Sequence, residues 1–397
     1  MNISKRILNM SPSSILELAP YADAAKAMGK KVYHLNIGDP DIKTPSVFFD
    51  GLKEISIETL GYGPSRGIDE LLDAQIDYYK KFSVEVKRED LIITTGASEA
   101  LLYAMMATCD DGDDILTCEP YYANYEMVAS SVGANMVVFP TTVENGFRLP
   151  TKEEIVSAIT PKTKVILLSH PGNPTGVVYT EEEMELIADI AIENNLFIIA
   201  DEVYREFTYN SEVFKSFGTI KRIEDRVLLV DSISKRFSAC GARIGSVMCK
   251  NEELNAGIMK LCEIRLSAAT IDQICASKLY GVDKSYYEDV TEEYKSRRDF
   301  LISELSTMEG VKYYVPAGAF YVMPELPVDD AVMFSKWLLT DFDIDGETLM
   351  IAPGKGFYCN SETGKSQVRI AYVLNNGDLK KALKILREGL LKYPGRN

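Results

Sequence analysis

Between Leu91 and Val230 the sequence keeps a fixed rhythm in which short apolar, β-branched runs alternate with stretches of helical spacing. The runs are LIITT from 91, DILTC from 114, NMVVFP from 135, KVILLS from 164, LFIIAD from 196 and RVLLVD from 226. Runs that are apolar at nearly every position, rather than at every second one, belong to strands buried on both faces. Helical crossovers between such strands impose parallel order. Thr151 with Glu154 has capping-box spacing, and so does Thr180 with Glu183 ahead of Met184, Ile187, Ala188 and Ala191. The rhythm predicts an α/β domain around a mostly parallel sheet.

Past Ile271 the pattern changes to a long charged helix at about 282–306. Short strands follow around 311–323 and 348–352, then a strand at 367–373 and an amphipathic helix at 378–391. This reads as a second, α+β domain, in keeping with 397 residues, more than one hydrophobic core usually serves. There are no repeats and no linker.

Composition removes several classes of function. A net charge of -16 repels nucleic-acid phosphates and anionic lipid, and no run approaches the roughly 20 apolar residues of a membrane span. Neither nucleic acid nor membrane is an expected partner, and the expected location is the cytoplasm. Seven cysteines form no CxxC pair, so reduced, buried thiols are expected rather than a disulfide framework or a zinc ribbon. With only His34 and His170, and no HExxH, no metal is expected.

In an open α/β sheet, ligands bind beyond the carboxyl ends of the strands. Gly96-Ala97-Ser98 follows the first run, Pro120-Tyr121-Tyr122 the second and Pro171-Gly172-Asn173-Pro174-Thr175-Gly176 the fourth. Asp201 and Tyr204 follow the fifth, and Ser232, Ser234, Lys235 and Arg243 the sixth. Free N–H groups at the helix start near Ala97 and Ser98 suit an anion, as do the Ser232 hydroxyl and the Arg243 guanidinium, although a strand–Gly–helix turn by itself is equally plain geometry. Asp201 ends an apolar strand, where a carboxylate needs a cation, a turn to cap or an arginine to pair with. Lys235 follows another buried strand and is either a solvated lysine or, in a dry site, a Schiff-base former. Walker and dinucleotide-binding patterns both fail: Cys359 stands where Gly364-Lys365-Ser366 needs a glycine, and Arg66 where Gly61-Tyr62-Gly63 needs one.

The segment SISKRFSACGARIG (232–245) resembles the lysine signature of fold-type I, class I/II aminotransferases, which depend on pyridoxal phosphate. The resemblance continues through NIGDPDIKTP (36–45), YGPSRG (62–67), TTGASEAL (94–101), PYYANY (120–125), HPGNPTG (170–176), DEVY (201–204) and QVRIAY (367–372). It implies a large domain at 46–280 with a mostly parallel seven-stranded sheet, and a smaller α+β domain formed by 1–45 and 281–397. It implies that Lys235 carries the cofactor as a Schiff base and that Asp201 keeps its ring nitrogen protonated. Asn173 and Tyr204 would meet the ring's 3-oxygen, with Tyr122 stacked on its face. Ala97, Ser98, Ser232 and Arg243 would hold the phosphate, with Tyr62 reaching in from the second subunit of a homodimer, and Ser234 would also bind the cofactor. Arg369 would clamp the substrate's α-carboxylate beneath the Gly38 backbone.

The implied reaction is ping-pong amino transfer from an L-amino acid to a 2-oxo acid. The same fold also serves C–S β-lyases, decarboxylases and enzymes resembling aminocyclopropane-carboxylate synthase. Overall similarity leans toward aspartate or glutamate as donor and 2-oxoglutarate as acceptor. Ser98 stands where many bacterial aspartate aminotransferases carry a lysine for the distal carboxylate, which leaves Arg265 and Arg66 as candidate cations, each of which could equally serve a surface or helix-end salt bridge. His170 replaces the family's usual Asn and is expected to serve the turn rather than the chemistry.

Overall fold

A computed structural model describes residues 3–4, 7–8, 10, 16–209, 213–360 and 362–397. In chain order its elements are α1 (Ala19–Ala27), β1 (Lys31–His34), α2 (Ser46–Glu54), α3 (Asp69–Lys80), β2 (Leu91–Thr94), α4 (Gly96–Thr108) and β3 (Asp114–Glu119). There follow α5 (Asn124–Val132), β4 (Asn135–Pro140), α6 (Lys152–Ser157), β5 (Thr163–Ser169), α7 (Glu181–Glu193), β6 (Phe197–Asp201), β7 (Val227–Ser232), α8 (Ile233–Arg236) and β8 (Gly245–Cys249). The remainder comprises α9 (Glu252–Arg265), α10 (Thr270–Leu279), α11 (Lys284–Leu305), β9 (Tyr321–Val322), α12 (Ala331–Thr340), β10 (Glu347–Met350), β11 (Ala352–Pro353), β12 (Val368–Ala371) and α13 (Asn376–Lys392).

Seven strands form one sheet in the order β2-β8-β7-β6-β5-β3-β4, with β8 alone running against its neighbours. All six expected strands are in it. Alternate residues of each strand enter opposite cores, as a pleated strand requires. Ile166, Leu168, Ile198, Ala200 and Leu229 pack with Leu71 and Leu72 of α3 and Met184, Ile187 and Ala188 of α7. Val165, Leu167, Ile199, Leu228 and Val230 pack with Ala104 of α4, Ala129 of α5 and Ile258 of α9. Both faces are thus covered, which is why the runs are apolar throughout. The helices start where capping predicts: Thr151 and Thr180 accept from the Glu154 and Glu183 amides, and each glutamate closes its box.

The sequence-derived outline is less accurate elsewhere. Strand β8 begins at the last residue of the lysine signature and was not among the runs read from the sequence, and α12 was not foreseen. The short strands expected around 311–323 shrink to Tyr321–Val322 with isolated bridges at Lys312 and Gly318, because Pro316 interrupts the stretch. In the N-terminal stretch, β1 pairs in parallel with β10, from Lys31 opposite Glu347 to His34 opposite Met350. A separate core joins Tyr33 and Leu35 to Val203, Tyr204 and Phe207 and to residues of α11, α12 and α13.

Candidate active site

The carboxyl ends of β3, β5, β6 and β7, the start of α4 and residues 37–38 enclose a cleft of about 310 Å3. Its walls include Gly38, Ala97, Ser98, Tyr122, Asn173, Asp201, Tyr204, Ser232, Ser234, Lys235, Arg243 and Arg369. The fold therefore brings together twelve residues that the sequence scatters over more than 330 positions.

One end is shaped for an anion. Thr95 gives α4 no side-chain cap, so the first amides of the helix remain free for a ligand. Gly96 has φ +73°, and a Cβ on it would lie 2.4 Å from an Arg243 guanidinium nitrogen, so only glycine admits this approach. On the other side, a Cβ on Gly245 would lie 2.7 Å from the Ala97 nitrogen. Ser232 caps α8, its hydroxyl accepting from the Ser234 amide at 3.1 Å.

Deeper in, Asp201 is 4% exposed. Its carboxylate accepts from the Tyr125 hydroxyl at 2.8 Å and the Val203 amide at 3.4 Å. Burial pushes this carboxyl up to about 6, against the pull of those two bonds. A cationic ring N–H is the partner that would restore it. Lys235 Nζ donates to the Gly38 carbonyl at 2.7 Å. The Tyr204 hydroxyl lies 2.9 Å from that of Tyr321, and burial pushes the Tyr122 hydroxyl up to about 12.

At the opposite end Arg369, 1% exposed, donates to Asn173 Oδ1 at 3.1 Å and to the Asn36 carbonyl. Its guanidinium lies 4.6 Å from the Tyr321 ring centre and 5.0 Å from that of Phe357, and its buried Nε has no partner. An unpaired donor, a buried acid short of a cation, a lysine amine and an anion cradle together fit pyridoxal phosphate with an amino-acid carboxylate beside it.

Three expected residues lie outside this cleft. Tyr62 is 85% exposed. Arg66 donates to the Glu89 and Leu91 carbonyls at 2.7 and 3.1 Å and to Asn255 at 3.0 Å. Arg265 pairs with Glu99 at 2.7 Å and donates to the Ile93 and Ser65 carbonyls at 3.2 and 2.7 Å, so this guanidinium is engaged within its own chain. The thiols also differ from expectation, since Cys359 is exposed and Cys240 lines the cleft. His170 is buried in its turn, its Nδ1 accepting from the Tyr179 amide at 3.3 Å and its Nε2 lying 3.0 Å from the Lys215 carbonyl. Burial pushes this ring down to about 4.

Sequence reasoning passed over Tyr125 and Tyr321. Tyr125 lies within PYYANY, three residues past Tyr122, and that spacing was the available signal. Tyr321 gave none, because its partner Tyr204 is 117 positions away.

The chain belongs to the aminotransferase class I and II family, whose model matches residues 30–386. It is a pyridoxal-phosphate-dependent transaminase. It is 31% identical over 394 residues to an aspartate aminotransferase of Pyrococcus horikoshii, covering 98% of this chain and 97% of that protein. It is equally 31% identical to a (5-formylfuran-3-yl)methyl phosphate transaminase of Methanocaldococcus jannaschii, over 98% of this chain and all of that one. Among solved structures, the Thermus thermophilus aspartate aminotransferase with maleate matches with a TM-score of 0.89 at 28% identity, over 98% of this chain and 100% of that one.

Proposed function

We propose that the enzyme moves the amino group of aspartate or glutamate to a 2-oxo acid such as 2-oxoglutarate, the donor leaving as its oxo acid before the acceptor enters. The observation that carries the site assignment is the meeting of Asp201 and Lys235 in one cleft, the buried acid hydrogen-bonded to neutral groups and the amine donating to the Gly38 carbonyl and, at 3.8 Å, to the Cys240 thiol. Pyridoxal phosphate, when bound, supplies a protonated ring that takes up the electron pair left at the substrate's α-carbon. Asp201 holds the ring-nitrogen proton, and the Tyr125 hydroxyl orients its carboxylate. Lys235 carries the cofactor between turnovers and, once released, takes the proton from the α-carbon.

Tyr204 and Asn173 hold the ring's 3-oxygen, and Tyr122 covers its face. Ala97, Ser98, Ser232, Ser234 and Arg243 bind the phosphate. Arg369 grips the α-carboxylate with Gly38 over it. The molecule works in the cytoplasm as a homodimer divided per chain into 46–280 and 1–45 with 281–397. The projecting Tyr62, too exposed to serve its own cleft, supports the dimer, and sedimentation of an active monomer would contradict it.

The dicarboxylate preference leans on the named relatives and on the maleate in the Thermus structure. One observation favours a second reading, a donor with an uncharged side chain. Among the described residues lining the cleft the cations are Lys235, Arg243 and Arg369, each allotted to another group. A panel of donors against 2-oxoglutarate decides. Aspartate is expected to exceed alanine and phenylalanine in kcat/KM by roughly tenfold, equivalent to about 1.4 kcal/mol. Equal or better rates with the latter two establish the second reading.

A further inference from the structure

Behind the cleft, four charged side chains are buried together. Asp201 and Ser232 line the cleft, whereas their chain neighbours Glu202 and Asp231 do not, since successive strand residues point to opposite faces. Glu202 lies 3.2 Å from Arg205, Arg205 lies 3.6 Å from Asp231, and Asp231 pairs with Arg236, the residue after Lys235. No side chain of the four is more than 2% exposed. Glu202 also accepts from the Ser216 hydroxyl and the Phe217 amide, each at 2.9 Å. From α3, the Tyr79 and Tyr78 rings lie 4.6 and 4.3 Å from the Arg205 and Arg236 guanidinium carbons.

Buried ions lose their hydration, and apolar residues of similar volume often stabilise a core as well or better. Stability alone gives no reason for four charges at this place. Position does: the two acids and two arginines balance as a set, and they are chain neighbours of the cleft residues Asp201, Tyr204, Ser232 and Lys235.

We propose that the Glu202–Arg205–Asp231–Arg236 cluster is a positioning device for the transamination, holding Asp201 and Lys235 at the carboxyl ends of β6 and β7 and setting the electrical potential around them. This rests on the roles assigned to those two residues above. With Arg236 removed, Asp231 is left undercompensated in a dry interior, and nearby groups hold their protons more tightly. Burial lifts the Asp201 carboxyl and the Asp231 charge lifts it further. The other ionisable groups facing Asp201 are Tyr122, Tyr125, Tyr204 and Lys235, none altered by changes in the cluster. With Asp231 neutralised, the arginines are in excess and the effect reverses.

The test titrates the bound cofactor's absorbance against pH in the holoenzyme, with the pyridoxal phosphate dissociation constant and the kcat profile measured alongside. Arg236→Met is expected to move the titration up by about one pH unit, and Asp231→Asn to move it down by a similar amount. The double variant, which keeps the neutral Glu202–Arg205 pair, is expected to return close to wild type. A cluster that only fills space lowers the melting temperature of each variant without a signed shift, and that result overturns the proposal. If Arg236→Met does not fold, the near-isosteric Asp231→Asn decides by the sign of its shift. Wild-type protein that neither binds pyridoxal phosphate nor transaminates overturns the proposed function instead, before any variant is compared.

Discussion

The two ends of the cleft are built differently. At the reacting end, Asp201, Ser232 and Lys235 sit at or just past the tips of the adjoining strands β6 and β7, so the pairing of these two strands brings them side by side. At the recognition end, Arg369 is held by Asn173, 196 positions away, and by Asn36, 333 positions away. Reaction chemistry is thus a property of two neighbouring strand ends in the middle of the sheet, whereas substrate choice depends on how the two ends of the chain fold back over it. Substitutions at the reacting end are expected to change rate constants on every donor, and those at the recognition end to change which donor is preferred.

The largest expected effect is that of Lys235→Ala. It removes the cofactor's carrier and the α-proton base together, and since proton transfer alone contributes about 10²–10⁴-fold, a loss of kcat of at least 10⁴-fold is expected on all donors. Circular dichroism is expected to be unchanged and the lysine-bound cofactor absorbance lost. A variant that keeps a tenth of the wild-type kcat would break the assignment.

Asp201→Ala comes next, with cofactor retained and kcat lowered by about 10²–10³-fold, the range for one lost electrostatic partner. The same residue makes a pH prediction for the cofactor-free protein. Its native carboxyl is pushed up to about 6, above an ordinary value near 3.9, so the native state binds more protons than the unfolded chain between the two. Its contribution to stability is full below about 4 and is lost as pH rises through 6, a change of about 3 kcal/mol. Urea unfolding at pH 4 and pH 7 is expected to show this loss in wild type and not in Asp201→Asn, compared as a difference between the two proteins.

What was legible in the sequence follows the same divide. The six runs between Leu91 and Val230 were readable because a strand buried on both faces must be apolar throughout, and Lys235 because its neighbours form a local signature. Tyr125 escaped although it lies inside a recognised segment, because a tyrosine advertises no charge and its role depends on the Asp201 carboxylate 76 positions on. Tyr321 escaped, and the extent of β9 was overestimated, because both are defined by tertiary pairing with β12 and Tyr204. Cations near the site in chain order are equally deceptive, since a sequence shows an arginine but not which groups already occupy it.

Arg265 shows this most directly, and it supplies the smallest expected effect on catalysis. Its partner Glu99 follows Ser98, the position where a lysine would have met a distal carboxylate, so the arginine reaches the right helix turn and is bound there by an acid. Both side chains are mostly buried, and removing one member of such a pair typically costs about 3–5 kcal/mol, because the other charge is left uncompensated. Arg265→Ala is therefore expected to lower the melting temperature while changing the aspartate-to-alanine ratio of kcat/KM by less than about threefold, under 0.7 kcal/mol. Thermal unfolding and the donor panel, run on the same preparation, separate the two outcomes. A collapse of the aspartate preference would show that this guanidinium meets substrate after all, in a cleft other than that of its own chain. An unchanged ratio with reduced stability would leave discrimination to groups that the recognition end gathers from farther along the chain.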